Sequence, residues 1–409
     1  MRKQHMRHIK SIMNSNFEIK PYCFVILAIF FLSILRGIRF PNIWSYSHFL
    51  FNYDFGFTKR GLIGEIISQV NNPYLISYEF FFIFSLAIFA INVILLSIVI
   101  RDFLNSRNPV LIGSSLVFVS SVAVVFLSHS IGYFDHIGLL IALVTLKISG
   151  FYKKILFLLP SMTFALIAHE AILIIFFPVI FMSLLFSIKP EGSIKKVVTL
   201  GLFSALSFTL VLFISDFTLK PLETHKMFIN LQAEIDHPLR KDAFDVLHRD
   251  SKTNYQIMQN LWSDINRFIR LIESFLVTIP VFSVFIYFSL LFLRTSKVKF
   301  GLIILSILAS VSPLLLHFFG WDIHRWNTLA VTTSFLMLYV VHSSKTNNQS
   351  MAISRNIYPI FLLLIFLNGI SRIGLFDGYY VKQFPFFEHQ GYIFNLISGK
   401  EVFPYVPSR

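Results

Sequence analysis

Long apolar runs separated by short polar loops follow one another along most of the chain. The first run covers about residues 21–37, and further runs recur as far as residue 374. A helix needs about 20 mostly apolar residues to cross the hydrocarbon core of a membrane. The pattern therefore predicts an all-α fold, a polytopic transmembrane helical bundle with about eleven spans.

One apolar stretch is too long for a single span. From Ile155 to Ile188 the chain is apolar except around His169 and Glu170. At about 1.5 Å per residue, one helix of that length would measure about 51 Å, against a hydrocarbon core of about 30 Å. We therefore predict two short helices that meet near residues 168–170.

Basic residues indicate how the chain crosses the membrane. The N-terminal segment 1–20 and the loops after alternate runs are rich in Lys and Arg, which marks the cytoplasmic side. This predicts a cytoplasmic N-terminus and an external C-terminus. The predicted organisation is a transmembrane domain over 1–374, with external loops at 40–78 and 216–267, followed by an extracytoplasmic tail over 375–409.

Composition agrees with a membrane location. The chain is 55% hydrophobic and only 14% charged. Its net charge of +14 comes mostly from short loops between apolar runs, which indicates anionic membrane lipids and no nucleic acid as partner. Cys23 is the single cysteine, so the chain can form neither an internal disulfide nor a cysteine-based zinc site.

The first external loop carries the densest group of candidate functional residues, in the stretch NYDFGFTKRGLIGE. Asp54 is suited to act as a general base or to polarise a divalent metal, which would then be a cofactor. Lys59 and Arg60 are suited to bind a pyrophosphate. The alternative is that Asp54 pairs with one of these cations, and that the cations contact lipid headgroups.

Acids and histidines near the ends of spans are concentrated on the predicted external side. Ionisable groups next to hydrocarbon are costly and tend to mark functional cavities. We therefore predict that these residues converge on one extracytoplasmic pocket. They are Asp54, His129, Asp135, His136, His169, Glu170, Asp322 and His324.

Three of these motifs have competing interpretations. His169 and Glu170 form an ionisable pair in an apolar stretch, which indicates a functional site or a mutually satisfied pair between two short helices. Asp135 precedes His136 at a helix start, where a carboxylate binds substrate or simply caps the helix. The outer turn Trp321–Trp326 contains candidate substrate-binding residues or interface anchors: Trp321, Asp322, His324 and Arg325.

The motifs FGFTKRGLIG, GYFDH, AHE and WDIHRW together resemble a group of bacterial multi-pass proteins encoded with surface-polysaccharide assembly genes. The group is similar to the GT-C class of membrane glycosyltransferases and, in role, to O-antigen and capsule polymerases. The resemblance implies a GT-C-like fold, a polyprenyl-phosphate- or pyrophosphate-linked sugar substrate, and a location in the bacterial inner membrane. It also implies an essential acid in the first external loop, here Asp54, and other polysaccharide assembly proteins as partners.

The resulting hypothesis is a glycosyltransferase or polymerase that acts at the outer face of the inner membrane. Asp54 would deprotonate the acceptor, while Lys59, Arg60 and Arg325 would stabilise the departing pyrophosphate. His136, His169 and Glu170 would position donor or acceptor. The main alternative is a transporter or flippase of lipid-linked oligosaccharide; an O-acyltransferase and a scaffold fit fewer of the residues.

Overall fold

The computed structural model describes residues 21–70, 72–188, 194–296, 298–344 and 357–381, together with residues 394 and 398. Within these ranges the chain is helical and contains no β-strand, although one isolated bridge pairs Gly374 with Tyr380. The predicted all-α class is therefore confirmed. The basic segment 1–20 and most of the predicted tail 375–409 lie outside the described residues.

The described α-helices follow the order of the apolar runs, with shorter helices in the two polar loops. They are α1 (Pro21–Leu35), α2 (Ile43–Phe49), α3 (Leu62–Gln69), α4 (Tyr78–Asn105), α5 (Pro109–Ser120), α6 (Val122–His129), α7 (Asp135–Lys147), α8 (Phe151–Ala168), α9 (Ile172–Ile175), α10 (Phe177–Phe186), α11 (Ile194–Ser215), α12 (Pro221–Glu234), α13 (Ser251–Leu261), α14 (Ile265–Thr295), α15 (Phe300–Val311), α16 (Ile323–Ser343) and α17 (Tyr358–Ile370). Short 3-10 helices lie at Pro73–Ile76, Lys241–Leu247, Ser312–Phe318 and Phe376–Gly378.

Several of the described helices have the length and composition of membrane spans. Five qualify: α4, α8, α11, α14 and the segment Phe300–Phe318, which contains α15. Helices α5 and α6 are bent by 45° at their junction and make a sixth candidate if they form one span. Helices α1, α10 and α17 are apolar but shorter. These apolar helices indicate a membrane protein by their length and composition, while the count of about eleven spans, the GT-C-like fold and the orientation stay predictions.

Helix α16 is surrounded by other parts of the protein. Every side chain from Arg325 to Val341 is buried, against α14, α15, α10 and α6. The hydroxyl groups of Thr328 and Ser334 donate to carbonyls one turn earlier, so these two buried polar groups are satisfied within the helix. Phe335 stacks on Phe118 of α5 with ring centroids 4.0 Å apart. This central helix therefore fixes the positions of both ends of the bundle.

Helices α7 and α16 run in the same direction and are linked through side chains at both ends. At their first turns Arg325 of α16 contacts Asp135 of α7. At their far ends Lys147 pairs with Asp102, and Tyr339 donates to the same carboxylate at 2.6 Å. The bundle thus has one end at residues 135 and 325 and an opposite end at residues 102 and 147. The candidate residues lie at the first of these ends.

The long apolar stretch breaks where its length predicted. Helix α8 ends at Ala168, and His169 adopts an extended backbone with φ −161° and ψ 102°. The short helix α9 and then α10 follow, the latter with Pro178 in its first turn, where the missing amide hydrogen costs nothing. The prediction of two short helices is confirmed in outline. The break brings His169 and Glu170 out of a helix and to the end of the bundle.

The two predicted external loops are partly helical and pack on each other. Loop 40–78 contains α2 and α3, and loop 216–267 contains α12, α13 and a 3-10 helix. His48 hydrogen bonds to the Ala243 carbonyl at 3.1 Å, and the rings of Phe51 and Phe244 lie 4.9 Å apart. We call the described parts of these two loops the cap. The cap covers the end of the bundle that holds the candidate residues.

The packing of the cap gives a direct test of this fold. A Cβ atom on Gly64 would overlap the Phe51 carbonyl oxygen and lie 2.6 Å from the Leu50 carbonyl carbon. Because backbone atoms cannot move aside easily, we expect Gly64→Ala to lower the free energy of unfolding by about 1–3 kcal/mol. The measurement is thermal unfolding in detergent, followed by tryptophan fluorescence.

Gly201→Ala is the matched control, since a Cβ atom there meets nothing within 4 Å on the exposed face of α11. This variant is expected to unfold at or slightly above the wild-type temperature, because alanine favours a helix over glycine. Equal melting temperatures for the two variants would contradict the described packing of the cap.

Candidate functional site

A buried ion pair joins the first turns of α7 and α16. Arg325 Nε donates to Asp135 Oδ2 at 2.7 Å, and Arg325 Nη2 donates to Asp135 Oδ1 at 2.9 Å. The two side chains are only 5% and 3% exposed. Two parallel bonds between a guanidinium and a carboxylate are the strongest form of such a pair. The pair therefore fixes the relative positions of α7 and α16.

The turn before α7 is shaped to bring Asp135 to this position. Gly132 has φ +93°, a conformation that side-chain-bearing residues rarely adopt. A Cβ atom at this position would lie within 3.0 Å of Phe81, Pro41 and Ser45. The GYFDH motif thus needs glycine for both its backbone angle and its close packing.

A second pair lies beside the first. Arg60 Nη2 donates to Glu170 Oε1 at 2.6 Å, and Arg60 Nε donates to Glu170 Oε2 at 3.1 Å. The third guanidinium nitrogen, Nη1, lies 3.4 Å from Nδ1 of the buried His48. Arg60 has φ +66°, an uncommon backbone conformation for a residue with a side chain. The turn after Asp54 is thus bent so that Arg60 reaches across the cap to Glu170.

His169 connects the two pairs. Its Nε2 lies 3.3 Å from Arg325 Nη2 and 3.5 Å from Asp135 Oδ1, and its Nδ1 lies 3.8 Å from Glu170 Oε2. A guanidinium can only donate, so Nε2 is the acceptor in its contact with Arg325 and Nδ1 is the ring nitrogen that faces Glu170. Arg325 Nη1 also donates to Asp322 Oδ2 at 3.0 Å. We call this connected set the ion network: His48, Arg60, Asp135, His169, Glu170, Asp322 and Arg325.

Burial and charge set the protonation states at the edge of the ion network. Burial would raise the pKa of Glu170, but the Arg60 guanidinium and His169 hold that pKa well below its usual range. Burial and the nearby Arg60 lower the pKa of His48, so its imidazole is neutral at pH 7. Burial raises the pKa of Asp322, and the opposing effect of Arg325 is smaller. The carboxylate of Asp322 is thus more basic than that of Glu170.

Aromatic rings enclose Arg325. Its guanidinium carbon lies 4.5 Å from the ring centroid of Trp326 and 5.1 Å from that of Tyr133. The Tyr133 ring lies nearly parallel to those of Trp44, at 5.6 Å, and Phe376, at 4.6 Å. A cation over aromatic faces gains electrostatic stabilisation, most of all where water is excluded. Hydrogen bonds and rings together leave Arg325 no freedom to reorient.

An open cleft with a volume of about 420 Å³ adjoins the ion network. One wall is the start of α16, from Trp321 to Arg325, and a second is the face of α14 that carries Arg270 and Glu273. The third wall is formed by residues 374–380, part of a segment that we call the strap (residues 371–381). The cleft is therefore bounded by charged and aromatic side chains near Asp322.

The strap is fastened by Asp377. Its carboxylate accepts hydrogen bonds from Arg39 at 2.9 Å, Asn42 at 3.0 Å and Arg240 at 2.8 Å. Asn42 and Arg240 come from the two loops of the cap, and Arg39 directly precedes the first of these loops. Asp377 has φ +57°, so the strap turns sharply at this residue. Three charge-assisted bonds hold that turn against the cap.

Most of the predicted site residues lie together. Arg60, Asp135, His169, Glu170, Asp322 and Arg325 all belong to the ion network. Trp321 and His324 line the adjoining cleft. Eight predicted site residues thus lie in or beside the ion network, but of the acids and histidines predicted to converge on one pocket only Asp322 and His324 line the cleft. The mutually satisfied alternative for His169 and Glu170 holds in part, since Glu170 is neutralised mainly by Arg60.

Asp54 does not join this group. Its side chain is exposed and accepts a hydrogen bond from Asn52 at 2.7 Å, and no described ion pair or hydrogen bond links it to the ion network. The ring of Phe57 in the same turn packs on Phe217, 5.0 Å away. Local richness in charge and glycine predicted Asp54 as the base. The turn directs Arg60 inward and leaves Asp54 outside the cleft lining, so the predicted convergence of Asp54 with the other site residues is wrong.

Two further predicted site residues, Lys59 and His136, also lie outside the cleft lining. The ammonium group of Lys59 donates to the carbonyl of Arg249, so it fastens the cap. His136 is buried, with Nε2 3.1 Å from the Leu127 carbonyl, while Asn92 donates to the His136 carbonyl at 2.9 Å. His136 therefore joins α7 to α4 and the end of α6 and does not face the cleft. Both residues have structural partners where substrate contacts were predicted.

Several contributors were missed. Tyr133 stands two residues before Asp135 in the GYFDH motif, and His48 lies in the predicted external loop that follows the first span. The position of each residue in the sequence was therefore a local signal. Asp377 had none, because its partners Arg39 and Arg240 are distant in sequence. Among the described residues, no group of three or more His, Cys, Asp or Glu side chains is arranged to hold a metal ion.

No protein-family model, curated protein or solved structure matches this chain. The function proposed below therefore depends on the described residues and their contacts.

The buried pair of α7 and α16 can be tested by removing one charge. We expect Asp135→Asn to lower the free energy of unfolding by about 3–5 kcal/mol, because Arg325 would stay buried with too few acceptors. Unfolding in detergent, followed by tryptophan fluorescence, provides the measurement.

Asp242→Asn is the control. Asp242 pairs with Arg240 at 2.7 Å, but these side chains are 53% and 36% exposed. Losing such a solvated pair should cost at most about 1 kcal/mol. If Asp135→Asn were as mild as this control, the ion network would not organise the bundle.

Proposed function

We propose that this protein is an integral membrane glycosyltransferase of bacterial surface-polysaccharide assembly, of the O-antigen or capsule polymerase type. It would use polyprenyl-pyrophosphate-linked sugars at the outer face of the inner membrane. The observation that carries the proposal is the ion network beside an open cleft, at one end of a bundle of apolar helices. Buried charges at such a position are costly and tend to mark functional sites.

The substrate explains why such a site belongs on a membrane bundle. A polyprenyl chain stays in hydrocarbon while its charged pyrophosphate and sugars react at the surface. Helix α11 offers an apolar surface to hydrocarbon, with Leu202 and Leu212 each 67% exposed. The cap and the cleft offer polar and aromatic contacts at one end of the same bundle. The protein thus has separate surfaces for the two halves of a lipid-linked sugar.

The cations of the site divide into two groups. Arg60 and Arg325 are each bound to a carboxylate and act mainly to hold the site together. Arg270 lines the cleft on α14, and no ion pair among the described residues engages it. Arg270 is therefore better suited than Arg60 to meet a pyrophosphate. Lys59 and Arg249 add positive charge in the neighbouring part of the cap.

A flippase is the competing function. Transporters that alternate between two open states keep their substrate site near the midplane of the bilayer. The ion network instead lies at the helix ends, at the first turns of α7 and α16 and beside the cap. This position favours chemistry at a surface over passage through the bundle.

Reconstitution into liposomes with a polyprenyl-pyrophosphate-linked oligosaccharide tests the proposal. We expect the wild-type protein to lengthen the glycan and release free polyprenyl pyrophosphate, read by gel and mass spectrometry. Glu170→Gln should reduce this rate by about 100-fold, because Arg60 and His169 lose the carboxylate that orients them. Asp242→Asn should leave it unchanged.

Two results would contradict the proposal. The first is movement of the oligosaccharide across the membrane with no change in its mass, which indicates a flippase. The second is the absence of any glycan transfer by wild-type protein that binds the lipid-linked substrate. In cells lacking the gene, loss of long polysaccharide with single-unit product retained would support a polymerase over an earlier transferase.

A further inference from the structure

The cleft has rigid walls. Arg267 of α14 donates to the carbonyls of Trp321 at 3.1 Å and Gly320 at 3.3 Å, so the turn before α16 is tied to α14. Asn266, Arg270 and Glu273 recur at intervals of about one helical turn and all line the cleft. Asp377 fastens the strap on the third side. The three walls of the cleft are thus tied to one another or to the cap, which favours a preorganised binding site.

The carboxylates of the ion network differ in what they can still accept. Both oxygens of Asp135 and both oxygens of Glu170 are bound by a guanidinium. Asp322 receives one described hydrogen bond, from Arg325 Nη1 to Oδ2. Its side chain is 30% exposed, against 3% for Asp135, and it lines the cleft. Asp322 is therefore the network carboxylate that has room for a substrate hydroxyl.

Trp321 offers a platform next to Asp322. Its side chain is 48% exposed, and the guanidinium of Arg249 lies 5.2 Å from its ring centroid. An indole face packs on the apolar C–H face of a sugar ring, while polar groups nearby bind the hydroxyls. Asn266 and Glu273 supply such polar groups on the opposite wall. The cleft thus combines the features that a saccharide needs for recognition.

We propose that this cleft binds the acceptor sugar, and that Asp322 is the catalytic base that takes the proton from its attacking hydroxyl. The inference rests on the proposed function, and it assigns the role to a residue of the α16 start and not to Asp54 of the first external loop. Arg325 is then a positioning residue: it is bound to Asp135 and directs the Asp322 carboxylate toward the cleft.

The step balances without any added reactant. The acceptor oxygen forms a bond to the anomeric carbon of the donor sugar, and its proton passes to the Asp322 carboxylate. The bond between that carbon and the pyrophosphate oxygen breaks, and its electron pair leaves with the polyprenyl pyrophosphate. The proton on Asp322 returns to water when the product leaves. Asp322 is then ready for the next acceptor.

Electrostatics support this role. Burial raises the pKa of Asp322, and the nearby Asp135 carboxylate raises it further, while Arg325 and Arg267 oppose the shift. Arg270, Glu273 and His324 also face the cleft. A carboxylate with a raised pKa is a stronger base than one that is saturated by guanidinium bonds. This separates Asp322 from Glu170, whose pKa is lowered.

The test measures kcat and KM for the acceptor with wild type, Asp322→Asn, Trp321→Ala and Asp54→Asn in the liposome assay. We expect Asp322→Asn to lower kcat by about 100-fold or more with little change in KM. Trp321→Ala should raise KM by about 2- to 10-fold, and Asp54→Asn should leave both constants close to wild type. Asp242→Asn is the control for a surface charge.

The pH profile separates a catalytic role from a structural one. Wild-type kcat should fall at low pH as Asp322 is protonated, at a pH above the ordinary range of an Asp. The residual activity of Asp322→Asn should lack this acid limb, at an unchanged melting temperature. Wild-type activity lost by Asp54→Asn but kept by Asp322→Asn would overturn this inference and leave the proposed function intact. No transfer by wild type would instead defeat the proposed function.

Discussion

The bidentate pair between Asp135 and Arg325 is the constraint on which the rest of the site depends. Two charges removed from water are tolerated only when their geometry is good and their remaining donors and acceptors are bound. This requirement fixes the first turns of α7 and α16, which are 190 residues apart in sequence. The neighbouring His169 and Asp322 are positioned by the same guanidinium.

The role of arginine at this site differs from a simple anion clamp. Nε, Nη1 and Nη2 of Arg325 all have partners, and aromatic rings lie close to the guanidinium. The guanidinium of Arg60 likewise contacts Glu170 and His48 through all three of its nitrogens. A guanidinium bound in this way orders carboxylates more than it attracts a ligand. Arg270, in the wall of the cleft, is therefore better placed than Arg60 or Arg325 to bind an anionic ligand.

The sequence was most informative where a local pattern has a single physical solution. Apolar length predicted the helices and the break at His169, because a helix longer than the bilayer has to end. The gathering of acids and histidines at one bundle end also followed from span positions. The partners in the ion pairs could not be predicted in this way, since no local pattern in the sequence relates Arg60 to Glu170 or Arg39 to Asp377.

Asp54 shows the limit of local reasoning. Its turn has the charge and glycine content of a functional loop, and the loop does contribute Arg60 to the ion network. Which of its charged residues points inward depends on the backbone of Arg60, at φ +66°, and on the cap packed against it. The residue type was therefore a poorer guide than the turn geometry, which only tertiary contacts define.

The fastening of the strap bears on how the protein is made. Arg39, Arg240 and Asp377 come from the beginning, middle and end of the chain, and a ribosome releases them in that order. Until the last segment emerges, the two arginines lack their shared carboxylate, and Tyr133 lacks the ring of Phe376. The third wall of the cleft is consequently a late product of biogenesis. Before residues 371–381 have been synthesised, the cleft has only the two walls formed by α14 and the start of α16.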